Sequence, residues 1–345
     1  MRAPPSFCAD DRLVVFAPHP DDETLATGEL IQAARAAGAC VRVVFATDGD
    51  NNPWPQRWLE RRLRIGPVER QRWGARRRRE AAHALAVLGV DDTGSIRFLG
   101  WPDQGLTDAL MRDDAVAELV GILSSFAPTH LAMPTLADRH PDHSALRVML
   151  DLALLRTDLD CIRLGYVVHR AVGNAMDASP EPARQQRKQA AMAAYVSQMS
   201  LSARRLRELA ARDETFDISA RIVKAMTGPL QILRIPRAHD GVFRRPHELM
   251  LIVASTSQTL RWRVVLPATT APELGHRAPA ITIGQTPDAW IVSLPPIGFP
   301  AGAIFAKIHR TQPRVMIFDR QHWSDTADLL RDAQSGAGPA IADPA

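Results

Sequence analysis

Two patterns in the sequence predict an α/β protein, built on a doubly wound parallel sheet with helices on both faces and followed by an all-β region. Through the first two thirds of the 345 residues, apolar runs bounded by turn residues alternate with helical patterns, which is typical of βαβ units. After about Pro246, β-branched runs follow one another without intervening helices. We therefore predict an α/β domain over residues 1–245, a small β domain over 246–330 and a disordered tail over 331–345.

The elements of the α/β domain follow from the spacing of apolar residues. The stretch 24–37 has helical spacing and stops at Gly38, which predicts the first helix. Strands are predicted at residues 13–17, 41–46, 95–99, 129–133 and 162–168. Further helices are predicted at residues 69–88, 107–125 and 144–156. Two more helical patterns, at 185–196 and 201–211, either pad the functional site or form the interface of a homo-oligomer.

The β region is predicted from short apolar runs that prolines separate, as turns do in a small sandwich. The runs cover residues 249–254, 260–266, 280–283, 290–294, 303–309 and 315–318. No known motif assigns this region a role.

Composition narrows the classes of function. The formal net charge is +4, and three of the 42 basic residues are Lys, so Arg dominates. This bias fits either an anionic substrate or the nucleotide composition of the source. The three cysteines form no Cys-x-x-Cys pair, which predicts reduced thiols in a cytoplasm. We expect no signal peptide, and without about 18 consecutive apolar residues we expect no membrane span.

The first motif is His19-Pro20-Asp21-Asp22-Glu23, placed where the first predicted strand ends and the first helix begins. Ligands of open parallel sheets gather at this carboxyl edge. An imidazole and a carboxylate three residues apart across a turn can converge on one ion, and zinc accepts both types of ligand. A catalytic zinc site needs a third protein ligand and an open position for water.

The second motif, His140-Pro141-Asp142-His143, follows the strand predicted at 129–133 after a short loop and supplies candidates for that third ligand. Alone, the motif is equally well explained as a turn in which Asp142 caps the next helix. Two such motifs at two strand ends favour a shared metal site.

With these motifs, the sequence resembles the LmbE-like or PIG-L zinc deacetylases, over roughly residues 10–250. Shorter matches support the resemblance at Thr47-Asp48-Gly49, Arg77-x-x-Glu80, Pro102-Asp103-x-Gly105-Leu106 and Tyr195-Val196-Ser197-Gln198. The resemblance implies a Rossmann-like fold and hydrolysis of N-acetylglucosaminyl conjugates, which are small molecules.

By motif position, the resemblance implies that His19, Asp22 and His143 bind one Zn²⁺. It makes Asp21 the general base and His140 the residue that steadies or protonates the reacting centre. Physical chemistry is consistent with these roles, since a carboxylate can accept the proton of an attacking water and a protonated imidazole can stabilise an oxyanion.

The resemblance also makes Arg77 and Asp103 candidates for binding the sugar. Each has an equally good structural explanation, since Arg77 belongs to an Arg-rich helix face and Asp103 lies in a turn. Glu23 caps or braces the metal loop. The remaining histidines, including His169, are expected to be structural or surface groups.

Three tryptophans, Trp54, Trp58 and Trp73, lie in the Arg-rich stretch 57–79 or just before it. They fit either stacking on a sugar ring or base, or packing in the core, which is the more frequent use of Trp. No nucleic-acid-binding motif and no Gly-x-Gly-x-x-Gly motif accompanies them, so we expect neither nucleic acid nor a dinucleotide as a partner.

Two other functions are compatible with the sequence. One is a metal-dependent hydrolase of another bond, such as a phosphoester, because activated water attacks several electrophiles. The other is a carbohydrate-binding protein with a vestigial metal site. The segment 51–66 is expected to carry the specificity of any such site.

Overall fold

The computed structural model of the protein describes residues 5–169, 181–219, 232–237, 247–310, 323–327 and 329. The chain divides into two compact units, residues 1–221 and 222–345. The predicted division at residue 245 stays a prediction, and one strand that belongs to the second unit, Ile232–Pro236, precedes it. The tail predicted at 331–345 lies outside the described residues.

The first unit is an α/β structure around a six-stranded sheet of order β3-β2-β1-β4-β5-β6. The strands are β1 (Arg12–Ala17), β2 (Cys40–Thr47), β3 (Ile96–Trp101), β4 (His130–Pro134), β5 (Ile162–Tyr166) and β6 (Asp217–Ser219). The first five pair in parallel, as predicted. The expectation of a wholly parallel sheet is wrong at one edge, because β6 runs antiparallel to β5. Such an antiparallel edge strand is common on parallel sheets.

Eight α-helices occur among the described residues of this unit. They are α1 (Asp22–Ala36), α2 (Pro53–Glu60), α3 (Pro67–Val87), α4 (Leu106–Ala109), α5 (Asp114–Phe126), α6 (Pro141–Leu155), α7 (Pro182–Ala193) and α8 (Val196–Ala210). The single helix predicted at 107–125 is wrong, since α4 and α5 are separate. Asp113 and Asp114 favour a new helix N-terminus there, because acidic side chains interact well with the positive end of the helix dipole.

Helix α2 was not predicted, because its sequence begins Pro-Trp-Pro. Both prolines lie in the first turn, where the backbone N–H groups have no partner within the helix, so neither interrupts a hydrogen bond.

The middle of the sheet positions the functional residues. In β1, residues 13–17 are fully buried, and β1 pairs with β2 on one side and β4 on the other. The strand order reverses between β1 and β4, and a crevice forms outside the carboxyl ends of strands at such a point. Both metal-binding motifs follow these two strands.

The second unit contains two antiparallel sheets, of order β10-β11-β12-β7 and β13-β8-β9. Their strands are β7 (Ile232–Pro236), β8 (His247–Ala254), β9 (Thr259–Leu266), β10 (Thr270–Ala271), β11 (Ile281–Gln285), β12 (Ala289–Ser293) and β13 (Ala303–Arg310). Residues of both sheets, such as Val292 and Ile304, share one buried core, so the predicted β-rich region is confirmed. The strand predicted at 315–318 lies outside the described residues.

The helices that the structure describes include none long and apolar enough to cross a bilayer. The cytoplasmic location and the homo-oligomer stay predictions.

Candidate metal centre

The loop after β1 brings His19 and Asp22 together. The Asp22 carboxylate accepts a hydrogen bond from the backbone N–H of His19 at 3.0 Å. The same carboxylate oxygen, Oδ2, lies 3.2 Å from Nδ1 of the His19 ring. Asp21, between them, has a φ of 118°, a left-handed conformation that few non-glycine residues adopt. The turn therefore directs the side chains of His19 and Asp22 to one point.

His143, in the first turn of α6, completes this group. Its Nε2 lies 3.1 Å from Asp22 Oδ2, and its ring centroid is 5.4 Å from that of His19. In a tetrahedral zinc site with Zn–N bonds of about 2.0–2.1 Å, neighbouring ligand atoms are about 3.3 Å apart. Asp22 Oδ2 thus lies close to this separation from a ring nitrogen of each histidine, His19 and His143.

The two ring nitrogens of His143 test whether a cation fits here. Both are buried and lack a hydrogen-bond partner among the described residues. Carboxylate oxygens are close to each, Asp22 Oδ2 to Nε2 and Asp138 Oδ2 to Nδ1, both at 3.1 Å. A neutral imidazole carries only one N–H, so one of these nitrogens turns its lone pair toward a carboxylate. A cation bound by Nε2 and the Asp22 carboxylate would remove that repulsion. The donor set therefore fits a divalent metal.

Two further carboxylates orient the other side of the His19 ring. Nε2 of His19 lies 3.2 Å from Oδ1 of Asp103 and 3.2 Å from Oδ2 of Asp142. Asp142 is fully buried and also accepts hydrogen bonds from the backbone N–H groups of Gln104 and Leu106. Carboxylates that hold the second nitrogen of a metal-binding histidine fix its tautomer and orientation.

These contacts revise two expectations. Asp142 is not the N-cap of α6, because the helix begins one residue earlier and His140 caps it by accepting a hydrogen bond from Asp142 N–H. Asp103 is buried and accepts a hydrogen bond from Asn51 N–H at 2.7 Å, so in this structure it supports His19. Its predicted contact with a sugar stays a prediction.

The buried carboxylates determine how the cluster titrates. Although burial opposes it, Asp138 and Asp22 raise the pKa of His143 to about 10. Burial also lowers the pKa of His19, but three neighbouring carboxylates raise it well above its usual range, those of Asp103, Asp142 and Asp22. Burial likewise opposes ionisation of Asp22, but His143 and His19 hold its pKa well below the usual range. The buried carboxylates are therefore stabilised by positive charge nearby. Protonated His19 and His143 supply that charge without a metal, and a bound cation would supply it in place of their protons.

Asp21 differs from the other carboxylates of the centre. Burial raises its pKa to about 7, against the opposing effect of the Arg77 guanidinium, whose Nη2 lies 3.1 Å from Asp21 Oδ2. A carboxylate with a pKa near neutrality is a suitable general base, because it can accept and release a proton at working pH.

Arg77 is buried, and both terminal nitrogens of its guanidinium contact the loops of the centre. It donates hydrogen bonds to the carbonyl oxygens of Gly49, at 2.7 Å, and Pro20, and to Asp21. Gly49 has a φ of 61°, and a Cβ there would lie 1.8 Å from Arg77 Nη1, so any other residue would be strained and would displace the Arg77 guanidinium. In this structure Arg77 positions the Asp21 loop, and its contact with a substrate stays a prediction.

His140 lies within the imidazole cluster, with its ring centroid 4.7 Å from that of His19 and 5.1 Å from that of His143. Burial and the neighbouring His19 and His143 lower the pKa of His140 well below its usual range. A protonated His140 before the reaction, which the sequence suggested, is therefore not favoured. The neutral ring accepts a hydrogen bond through Nδ1 from Asp142 N–H.

Two residues of this centre, Asp138 and His169, were not predicted from the sequence. Asp138 contacts His143 and accepts hydrogen bonds from the backbone N–H groups of His140, Val168 and His169. His169, which follows β5, lies with its ring centroid 4.9 Å from that of His143, and its ring is close enough to share an ion with Asp22 and His143. His169, which was expected to be a structural or surface group, thus lies among the candidate metal ligands. Its only sequence signal is its place after a strand of the same sheet.

The supporting motifs brace the centre. Glu23 is buried and accepts hydrogen bonds from Asp21 N–H, at 3.0 Å, and from the Tyr195 hydroxyl. Glu80 accepts a hydrogen bond from Ser197 N–H at 3.0 Å. The expectation that Glu23 braces the metal loop is consistent with these contacts.

Comparison with known proteins supports the resemblance drawn from the motifs. Residues 14–154 match the family model of PIG-L, described as GlcNAc-PI de-N-acetylase. This segment contains both metal-binding motifs, so the resemblance is confirmed over it.

Among curated proteins, a relative from Mycobacterium sp. (strain KMS) is named 1D-myo-inositol 2-acetamido-2-deoxy-alpha-D-glucopyranoside deacetylase. It is 35% identical over 149 residues, which cover 38% of this chain and 46% of that protein. A relative of the same name from Mycobacteroides abscessus is 27% identical over 172 residues, covering 46% of this chain and 60% of the relative. The chain thus spans about half the length of the curated relatives it matches.

Among solved structures, N,N'-diacetylchitobiose deacetylase from Pyrococcus horikoshii is 19% identical, with a TM-score of 0.49. The match covers 61% of this chain and 84% of that one.

Proposed function

We propose that this protein is a zinc-dependent hydrolase that removes the N-acetyl group from an N-acetylglucosamine-type conjugate. The observation that carries the proposal is the convergence of His19, Asp22 and His143 beside Asp21, in which Asp22 Oδ2 lies 3.2 Å from His19 Nδ1 and 3.1 Å from His143 Nε2. The match of residues 14–154 to a de-N-acetylase family model supports the same chemistry. The site belongs to the α/β unit, whose strand order suits a Rossmann-like description, and the β unit takes no part in the proposal.

Zinc held by these three residues would polarise the amide carbonyl and lower the pKa of water from about 15.7 to about 7. The protein's own contribution begins with Asp21, whose carboxylate accepts the proton of the attacking water. Arg77 and Glu23 hold the Asp21 loop, and so the carboxylate, in its strained position. This arrangement fixes the base before the substrate arrives.

His140 is the candidate for delivering a proton to the departing amine. Its low pKa in the resting site keeps the ring neutral, so it takes up a proton, the one that Asp21 accepted from the water, only as negative charge develops beside it. Addition of water and cleavage of the amide C–N bond then yield acetate and the free amino sugar.

Acetate release tests the proposal. Zinc-loaded protein is incubated with a panel of N-acetylglucosamine conjugates, and acetate is measured with and without a chelator. We expect release that chelation and Asp21→Asn each abolish. Release that persists in both cases would remove the mechanism. Hydrolysis of a phosphoester such as p-nitrophenyl phosphate without acetate release would favour the other hydrolase, and sugar binding without any turnover would favour a carbohydrate-binding protein.

A further inference from the structure

A concave surface lies between α2, the turn that follows it, and α8. We call it the tryptophan groove, and its lining includes Trp54, Arg57, Trp58, Arg61, Leu63 and Leu201. Its volume is about 820 Å³. Cavities of about 300–1,000 Å³ are typical of sites for small organic ligands, so the groove has the size of a ligand site.

The apolar residues of the groove are unusually exposed. Trp54 and Trp58, one helical turn apart, are 65% and 66% exposed, and Leu63 is 89% exposed. Trp73, by contrast, is fully buried, so the expectation of core packing is correct for Trp73 and wrong for the other two. Grouped exposed apolar side chains with a polar rim mark an interaction surface.

All the charged side chains that line the groove are arginines, so its charge is positive. Arg57 stacks on Trp54, with its guanidinium carbon 5.0 Å from the ring centroid, and its Nε is buried without a hydrogen-bond partner among the described residues. Arg61 is exposed, and no acidic residue is among those that line the groove. Arginine forks recognise carboxylate and phosphate groups, so the complementary ligand is apolar and anionic.

A short segment of chain connects the groove to the metal centre. Asn51 donates its backbone N–H to Asp103, which in turn contacts His19. Trp54 follows Asn51 by three residues, a stretch of chain that spans at most about 11 Å. A ligand with its amino sugar at the metal centre can therefore extend its other end into the groove.

We propose that the tryptophan groove binds the aglycone of the substrate, and that this aglycone is an apolar chain or ring that carries a carboxylate or phosphate. This inference rests on the deacetylase function proposed above. The concave shape favours a single amphiphilic molecule over the flat surface of a membrane.

Calorimetric titration of the full chain tests the binding chemistry without turnover. The probes are octyl phosphate below its critical micelle concentration, 1-octanol with the same tail, and inorganic phosphate. We expect octyl phosphate to bind at least tenfold more tightly than either of the others. The double variant Trp54→Ala/Trp58→Ala should lose at least tenfold in affinity, and Arg61→Gln about threefold.

Val68→Ala is the matched control, because Val68 is 69% exposed and is not among the residues that line the groove. Its affinity for octyl phosphate should equal that of the wild type. Equal binding by the double variant, or equal binding of octanol and octyl phosphate, would overturn the proposal. So would binding to anionic phospholipid vesicles without binding to monomeric octyl phosphate.

Kinetics then separates this proposal from the deacetylase function. An N-acetylglucosaminide with an anionic alkyl aglycone should have a KM at least tenfold below that of methyl N-acetylglucosaminide. In the double variant the ratio of the two KM values should fall to about one. Turnover of both substrates with equal KM in the wild type would overturn the groove assignment alone. Absence of acetate from both would overturn the deacetylase function.

Discussion

The metal centre and the tryptophan groove follow neighbouring strands of one sheet, yet they are built in opposite ways. At the metal centre, His143 is completely buried and Asp22 is 1% exposed, whereas Trp54 and Trp58 in the groove are each about two-thirds exposed. Every carboxylate of the centre contacts an imidazole or a guanidinium, or accepts backbone hydrogen bonds. The two tryptophan side chains of the groove extend from the short helix α2 into solvent.

The difference in burial suits the two regions to different roles, catalysis at the metal centre and substrate selection at the groove. Buried charges tolerate little displacement, because a lost partner leaves an uncompensated charge in a region of low dielectric. The centre is therefore suited to fixing reacting atoms. Exposed side chains can be replaced at small cost in stability, so the groove is suited to choosing among conjugates. Variants of the centre should change metal binding and kcat, and variants of the groove should change KM.

The largest effect is expected from His143→Ala. This change removes a metal ligand and leaves Asp22 and Asp138 without their shared imidazole partner. We expect loss of zinc and of acetate release, with destabilisation of about 3 kcal/mol or more, the typical cost of breaking a buried charge pair. Metal analysis and denaturant unfolding measure both, and octyl phosphate binding should persist. Full zinc content in this variant would contradict the ligand assignment.

Asp21→Asn should affect the rate without affecting the metal. General base catalysis contributes about 10²–10⁴-fold, so kcat should fall by that range. Zinc content should stay the same, because Asp21 is not among the proposed ligands. Steady-state kinetics and metal analysis on the same preparation measure kcat and zinc content together. Loss of zinc in proportion to the loss of activity would show that Asp21 is a ligand.

Asp138→Asn tests the support of His143. Residues that orient a metal ligand typically contribute 10–100-fold to metal affinity, so we expect weakening in that range. Competition with a chromophoric chelator measures the affinity. Asp151→Asn, a buried carboxylate further along α6, is a control for general damage to that helix. Equal weakening in both variants would show that Asp138 has no special role.

Dependence on pH gives the smallest and most specific effect. Asp21 accepts a proton only when ionised, so activity should rise with pH on the acid limb as Asp21 loses its proton. Burial raises the pKa of Asp21 to about 7 and the Arg77 guanidinium opposes that rise. Arg77→Gln should therefore move the acid limb to higher pH. A profile of kcat/KM for both proteins checks the direction, and a shift to lower pH would contradict it.

Metal removal tests whether the metal centre and the groove are energetically coupled. A ligand that binds only the folded state stabilises it by RT ln(1 + [L]/Kd), about 4 kcal/mol at 1,000 times Kd. Chelation should therefore lower Tm for the wild type and for Trp54→Ala/Trp58→Ala by the same amount. Unequal shifts would show that the groove and the centre are energetically coupled.

Much of this arrangement was determined by local sequence. Runs of apolar residues predicted the five parallel strands. For β1 and β4 the reason is burial on both faces, which needs an unbroken apolar run. The motifs at the ends of β1 and β4 predicted a shared metal site, since residues that follow parallel strands meet at one edge. The choice of His19, Asp22 and His143 as its ligands came from the resemblance to the PIG-L deacetylases.

Tertiary structure decided what spacing could not. His169 and Asp138 join the centre because β5 lies beside β4, and no pattern within either segment specifies that pairing. The Arg77 side chain is buried and the Trp54 side chain is exposed, although both lie in the same Arg- and Trp-rich part of the sequence. Burial depends on which helices pack against each other, and the local sequence does not specify that. Contacts between distant segments, and the charges they enclose, are properties of the folded chain alone.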